Sequence, residues 1–443
     1  VDFVISNATV VTMNAEREVL RDAEVVIVDR RIVKVGPATR GGKTGLRQTL
    51  DARGKLLVPG FIHGHLHACQ TLCRNRADGL ELLDWLRERI WPFEAAHDAA
   101  SMRASADLTF LELIKSGATG LLDMGTVRHY DQVFESARDC GIRLTGGKAM
   151  MDHGQGLPAG LRETTEASIS ESLALMTRWH GQEDGRLRYA FAPRFVLSCT
   201  EGLLKQVGEL AKKHGVRIHT HASENPTECD VVREKTGMDN VAYFESLGML
   251  GPHTTLAHCV WLTANEHRVL RETQTCVCHC PGSNLKLSSG YAKIPELLAE
   301  KVNLSLGSDG APCNNNLDMF VEMRLAGLIH KPRSGPTAVS AQQVLEMATL
   351  GGAKAIGMEA EVGSIEAGKR ADLTLIDLSG PHATPGGEDI VSRLVFSGRS
   401  SDVTDVMIDG RLVMKNREVL TLNESRVLAE AEKHATRLAE AIS

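Results

Sequence analysis

The chain places histidines two apart at two points, in His63-Gly64-His65-Leu66-His67 and in His219-Thr220-His221, and follows the second with Ala222-Ser223-Glu224. His258 and Asp309 stand further on, each at the end of an apolar run. Residues two apart on a β-strand project from one face, so His65 and His67 can turn their imidazoles to one ion. With His221 and Asp309 they make a set of nitrogen and oxygen donors suited to zinc, with iron the alternative. Alternation alone does not choose among His63, His65 and His67, or between His219 and His221, because each group shares a face. A divalent metal there would bring the pKa of a bound water toward about 7. Asp309 can touch the metal and take that water's proton, and His258 can hold or polarise the water. Glu224 lies past the strand end, where a carboxylic acid can protonate a ring nitrogen and make an aromatic amidine electrophilic. Attack gives a tetrahedral carbon, and protonation of the amino group lets ammonia leave. These groups together point to deamination rather than simple amide hydrolysis.

A second metal would call for a bridging anion, such as a modified lysine at the end of the fourth or fifth strand. Arg194 and His221 stand there instead, so one metal is expected. The strands that carry these residues are legible as apolar, β-rich runs at Leu57–Ile62, Thr119–Met124, Arg143–Met151, Leu187–Phe195, Val216–His221, Thr255–Val260, Thr275–Cys280 and Asn303–Leu306. Helical patterns such as Ala104–Ser116, Leu203–His214 and Ile294–Lys301 separate them. Strand then helix, repeated about eight times, predicts a parallel (β/α)₈ TIM barrel, whose chemistry sits at the C-terminal ends of the strands.

Both ends of the chain have another texture. Phe3–Met13, Ala23–Val28 and Ile32–Gly36 read as short strands, followed by loop residues Arg40–Gly45. Ala371–Ile376 and a hairpin over Val406–Val413, turning at Asp409-Gly410, repeat that texture near the other end. The expected organisation is a small β-sandwich built from residues 1–57 and 362–423, a barrel over 58–361, and a closing helix over 424–443.

Composition excludes several classes. Hydrophobic content of 42% and charged content of 24% are globular values, and a net charge of −6 gives no reason to propose nucleic acid or an anionic membrane as partner. No apolar stretch reaches the roughly 20 residues that span a bilayer, and Val1-Asp2-Phe3-Val4 does not read as a signal peptide. Ten cysteines are scattered rather than framed, so reduced thiols and a cytoplasmic place are expected. In Cys276-Val277-Cys278-His279-Cys280 the cysteines read as one buried face of the seventh strand, with His279 on the other.

Pro59–His67, His221-Ala222-Ser223-Glu224, Ala257-His258-Cys259 and Gly307-Ser308-Asp309-Gly310 resemble the amidohydrolase superfamily, in its branch of purine, pterin and triazine aminohydrolases. The resemblance runs through nearly the whole chain, including Gly363–Asp372, which leads back into the β domain. It implies that His65, His67, His221 and Asp309 are the metal ligands, leaving His63 and His219 as neighbours. It places Glu224 and His258 at the catalytic acid/base positions, and it implies a homo-oligomer. One departure is His63, where that family usually has Asp or Asn.

Two subfamilies compete over the substrate. Ser283–Leu287, Asp309–Asn315, Trp85 and Glu94 are similar to deaminases of S-adenosylhomocysteine, methylthioadenosine and 5′-deoxyadenosine, in which the residue matching Glu94 binds ribose hydroxyls. His67–Gln70, Gly147–Asp152 and Pro193-Arg194-Phe195 are similar to guanine deaminases, where residues matching Gln70 and Arg194 bind the base and one matching Phe195 packs on it. Lys148 and Arg194 replace the arginine and histidine usual in the first group, which favours a nucleoside without an amino-acid tail. The expected function is therefore hydrolytic deamination of an adenine nucleoside. Guanine or another oxopurine is the first alternative, and amino- or chlorohydrolysis of an s-triazine the second. A barrel that binds without catalysis is the reading from another class, and stoichiometric metal in the purified protein counts against it.

Overall fold

The computed structural model describes residues 3–37 and 48–442; the loop expected at Arg40–Gly45 lies outside them. Five strands open the chain: β1 (Phe3–Val11), β2 (Val19–Val28), β3 (Arg31–Pro37), β4 (Gln48–Asp51) and β5 (Leu56–Pro59). The next nine are β6 (Phe61–Leu66), β7 (Ala118–Met124), β8 (Arg143–Gly147), β9 (Ala149–Met150), β10 (Leu187–Pro193), β11 (Arg217–Ala222), β12 (Thr254–His258), β13 (Cys276–His279) and β14 (Asn303–Leu306). Four more follow near the end: β15 (Leu373–Ile376), β16 (Val403–Ile408), β17 (Arg411–Lys415) and β18 (Glu418–Val419).

The central strands form one parallel sheet in the order β6-β7-β8-β10-β11-β12-β13-β14, with β9 pairing β10. The backbone N–H of Asp309 donates to the carbonyl of His65 at 3.3 Å, so the last strand's exit meets the first and nearly closes a TIM barrel. All seven residues of β7 are buried, as a strand between a barrel core and a helix layer must be. The helices between strands carry the expected stops. Asp98 and Ser101 form a capping box before Ala99–Lys115, and Gly215 ends Glu201–His214 in a left-handed cap at φ 65°.

The strands from the two ends of the chain share a second, mixed sheet in the order β18-β17-β16-β15-β5-β1-β2-β3, with β4 pairing β1. The seam is the antiparallel pairing of β15 with β5, Leu373 opposite Pro59. The run read as one strand at Leu57–Ile62 is thus split. Its first half belongs to this sheet, and its second half starts the barrel. Gly60 makes the crossing: a Cβ there would lie 2.1 Å from the Thr119 side chain, so a larger residue cannot occupy the step. The run at Arg143–Met151 is likewise broken, at Lys148, into β8 and β9. Asp409 and Gly410, at φ 52° and 72°, make the expected hairpin turn between β16 and β17. Helix Glu424–Ala441 lies on Ala99–Lys115, buries Val427, Ala431 and Leu438, and pairs Glu424 with Lys115 at 2.8 Å.

The barrel's lower end is locked to the mixed sheet by buried charge. Arg143, fully buried on β8, grips Asp372 through two hydrogen bonds of 2.7 and 2.8 Å, and Asp372 also accepts from the backbone N–H of Asp409 at 2.8 Å. Removing one partner of such a pair strands the other charge out of water. Arg143→Met is expected to lower unfolding free energy by about 3–5 kcal/mol, with Arg143→Met/Asp372→Asn recovering part of the loss. Chemical denaturation measures both. A single variant as stable as the parent would show that the pair does not tie the two sheets.

Candidate active site

Four of the barrel's strands end at one point. His65 lies on β6 and His67 one residue past it, His221 on β11, His258 at the end of β12, and Asp309 three residues beyond β14. The imidazoles are turned by their Nδ1 atoms. His67 Nδ1 donates to the carbonyl of Met124 at 2.8 Å, and His221 Nδ1 to the carbonyl of Arg194 at 2.6 Å. His65 Nδ1 lies 2.7 Å from His219 Nε2. Each ring therefore presents Nε2 inward, and those nitrogens converge with one another and with a carboxylate oxygen. His67 Nε2 is 3.2 Å from His221 Nε2, and Asp309 Oδ1 is 3.2 Å from His65 Nε2 and 3.4 Å from His67 Nε2.

That convergence tests the fit of a metal. Two donors at about 2.0–2.1 Å from one tetrahedral ion lie about 3.3 Å apart, which matches these separations. With their Nδ1 protons spent on carbonyls, His67 and His221 face each other lone pair to lone pair, an arrangement that asks for a cation between them. His65 Nε2 is buried without a hydrogen-bond partner. Burial drives the His67 imidazole down to about 3 and holds those of His65 and His221 below the ordinary range, so all three stay neutral, the form that ligates. Burial pushes the Asp309 carboxyl up, but the neighbouring histidines His65, His258 and His67 outweigh it and keep it ionised. The set suits one divalent metal. Among the described residues the groups able to hold one are His65, His67 and Asp309, and His65, His221 and His258.

Beside this set stand the acid/base candidates. Burial raises the Glu224 carboxyl to about 7, with the Asp309 charge adding and His258 opposing. Its Oε2 lies 3.5 Å from His258 Nε2, which is 3.8 Å from Asp309 Oδ2. Burial works against a charged His258, yet Glu224 and Asp309 together hold its pKa above the usual value. His258 and Asp309 sit on left-handed backbone, at φ 72° and 62°, and Ser223 before Glu224 at 51°. Such conformations cost energy in non-glycine residues and cluster where side chains are aimed for a purpose.

The cleft above these groups has an apolar wall of Leu82, Trp85, Leu86 and Phe195 and a polar side of Gln70 and Arg194. Leu82–Trp85 is a helical turn that widens into a π-turn over Leu86–Ile90, a geometry frequent at functional sites. Leu82 and Leu86 carry no sequence signal beyond apolar helical spacing and are found only by folding. The Gly-rich segment after β9 buries Leu157 and Leu161 in the same cluster as Trp85 and Phe195. Gln70 reaches its place because Gly310 leaves room: a Cβ there would lie 2.0 Å from Gln70 Oε1.

Of the residues expected to touch substrate, Gln70, Trp85, Arg194 and Phe195 line the cleft. Glu94 lies behind them, taking two hydrogen bonds from Arg194 at 2.6 and 3.1 Å and one from Gln70 Nε2 at 2.9 Å. Arg194 outweighs burial and keeps Glu94 ionised. The Lys148 amine is buried against Glu163, with Glu171 at 3.2 Å, outside the cleft lining. His63, where the family usually has Asp or Asn, accepts from the Ser308 backbone N–H at 3.3 Å and has Ser308 Oγ 3.1 Å from its Nδ1. His279 turns from the cleft to pack against His330, while Cys278 faces the barrel interior near Gly64 and Gly307.

The chain matches the amidohydrolase family over residues 56–413. It is 38% identical to the 5′-deoxyadenosine deaminase of Methanosarcina acetivorans, covering 99% of this chain and 98% of that one. It is also 38% identical to the 5-methylthioadenosine/S-adenosylhomocysteine deaminase of Pelotomaculum thermopropionicum, over 99% of both. Among solved structures, an adenosine deaminase from Xanthomonas campestris with bound zinc superposes with a TM-score of 0.92 at 30% identity, over 99% of each chain.

Proposed function

This chain belongs to the amidohydrolase family, and from that premise we propose that it is a hydrolytic deaminase of adenine nucleosides, acting on the 5′-deoxyadenosine and 5-methylthioadenosine class. The observation that carries the reaction type is Glu224, a buried carboxyl near 7 beside His258 and the Asp309 carboxylate, at the mouth of the donor set. Full-length similarity to deaminases named for those nucleosides supports the substrate class.

In this reading His65, His67, His221 and Asp309 hold one zinc ion, which when bound supplies an activated water at neutral pH. Glu224 gives its proton to the ring nitrogen next to the amino-bearing carbon and makes that carbon electrophilic. Asp309, whose Oδ2 faces His258, accepts the proton lost by the attacking water. His258 stabilises the charge that builds between the two carboxylates and helps pass the proton on toward the departing amine. Trp85, Leu82 and Phe195 press on the faces of a flat base and keep bulk water from the reacting carbon. Ammonia release by zinc-loaded protein over 5′-deoxyadenosine, 5-methylthioadenosine, S-adenosylhomocysteine, adenosine, guanine and an aminotriazine tests the proposal. Metal-replete protein silent on every adenine nucleoside would sink it.

One observation favours a second reading, a guanine or oxopurine deaminase. Both oxygens of Glu94 are already engaged by Arg194 and Gln70, so fewer lone pairs are left for ribose hydroxyls. Gln70 Oε1 is buried without a partner and offers an acceptor to a base N–H. Glu94→Gln separates the two. If Glu94 anchors ribose, KM for the nucleoside rises about tenfold or more with kcat little changed, the loss of one hydrogen bond to a charged group. An unchanged nucleoside KM, with guanine turnover lost in Gln70→Ala, would hand the assignment to the oxopurine.

A further inference from the structure

His258 ends β12 and Asp309 follows β14, strands that are not neighbours; β13 runs between them. The helix that follows β13, Pro281–Lys286, carries two adjacent polar side chains, and each reaches one of these groups. Ser283 Oγ donates to Asp309 Oδ2 at 2.7 Å, and Asn284 Oδ1 lies 2.8 Å from His258 Nδ1. Both residues are buried, at 0% and 1% exposure, so neither contact competes with water. Backbone bonds fix the turn beneath them: Asn284 N–H donates to Cys280 at 3.0 Å, and its carbonyl accepts from Ser289 at 2.9 Å.

We infer that Ser283 and Asn284 are a positioning pair, which sets the orientation and tautomer of the acid/base groups on either side. The inference rests on the deaminase reading for what those groups do. Asn284 Oδ1 can only accept, so the proton of His258 stands on Nδ1 and Nε2 is directed to Glu224 and Asp309, 3.5 and 3.8 Å away. The second nitrogen of a histidine follows from what holds the first. Ser283 occupies a lone pair of Asp309 Oδ2, while Oδ1 accepts from the N–H of Gly310 at 2.7 Å and turns to His65 and His67. The carboxylate is thereby held with one oxygen toward the metal donors and the other toward His258. Neither side chain offers a donor to the metal position: Ser283 touches Asp309 only at Oδ2 and Asn284 touches His258 at Nδ1, which leaves them a positioning role.

The test compares Asn284→Leu, which keeps bulk but removes the acceptor, with Asn284→Asp, which keeps the acceptor. Asn284→Leu is expected to lower kcat by ~10- to 100-fold, as loss of an orienting partner typically does, with KM and bound zinc unchanged. Asn284→Asp is expected to stay within about threefold of the parent's kcat, an outcome a merely structural role would reverse, since a buried charge disrupts packing more than a leucine does. Leucine kcat equal to the parent's, or aspartate falling as far as leucine, overturns the inference. Should the leucine variant not fold, Asn284→Ala carries the same comparison. Nitrogen-15 spectra of the zinc-loaded protein, with His258 assigned by difference against His258→Gln, give a readout independent of turnover. A proton on Nδ1 in the parent, lost or mixed in Asn284→Leu, supports the pair; a bare Nδ1 in the parent overturns it. Absence of any ammonia release by the parent would instead fail the deaminase reading and leave the spectral result to stand.

Discussion

Asp309→Ala is expected to purify with about a tenth or less of the parent's metal and to release no measurable ammonia. Even supporting residues cost 10- to 100-fold in metal affinity when removed, and a direct ligand costs more. In the proposed mechanism Asp309 also accepts the water's proton, so adding excess zinc should restore metal without restoring turnover. His65→Ala makes the complementary case. Its Nε2 lies 3.2 Å from Asp309 Oδ1 and belongs to both groups of converging donors, so metal should fall at least as far. His258 appears in only one of those groups, with His65 and His221. In the proposed assignment His258→Ala keeps its metal while losing rate. A metal-free His258→Ala beside a metal-replete Asp309→Ala would exchange their roles.

The second large effect belongs to Glu224→Gln. Glutamine preserves shape and hydrogen bonding but can neither give nor take a proton. Metal content and folding should be unchanged, because Glu224 is outside the donor set and its carboxyl, 4% exposed, is costly to bury in charged form. The expected loss in kcat is about 10²- to 10⁴-fold, the usual worth of a positioned general acid. In free energy that is roughly 3–5 kcal/mol of transition-state stabilisation. A residual rate within tenfold of the parent would mean that another group protonates the ring, and the proton route through Glu224 would fall.

Much of this site could be read before folding, for a physical reason. The barrel strands are buried on both faces and show as continuous apolar runs, and their C-terminal ends fall where the runs stop. His65, His67, His221, His258 and Asp309 all lie at such ends, so a barrel was enough to bring them together. Strand periodicity could not separate His65 from His63 or His221 from His219, since alternation puts each group on one face. The family resemblance chose among them, and in the structure each ring is oriented by a partner from elsewhere in the fold. The carbonyls of Met124 and Arg194 orient His67 and His221, His219 itself holds His65, and Ser308 holds His63. None of these partners is close in sequence to the ring it holds.

The substrate side was less legible, because its residues gain meaning from what they pair with. Glu94 and Arg194 are 100 positions apart, and nothing local announces that they neutralise each other. Lys148, equally suited by type to a substrate anion, is taken by Glu163. The break at Gly60, where the chain passes from one sheet to the other, was hidden inside a single apolar run, since both sheets bury that stretch. Sequence alone thus determined the barrel, the joining of both chain ends in one small β domain and the donor types at the strand ends, all properties of local pattern and burial; that this domain is one mixed sheet is seen only in the structure. Tertiary structure decided which nitrogen faces inward, which charges cancel, and which side chains wall the cleft, because these depend on distances between segments that no local pattern encodes.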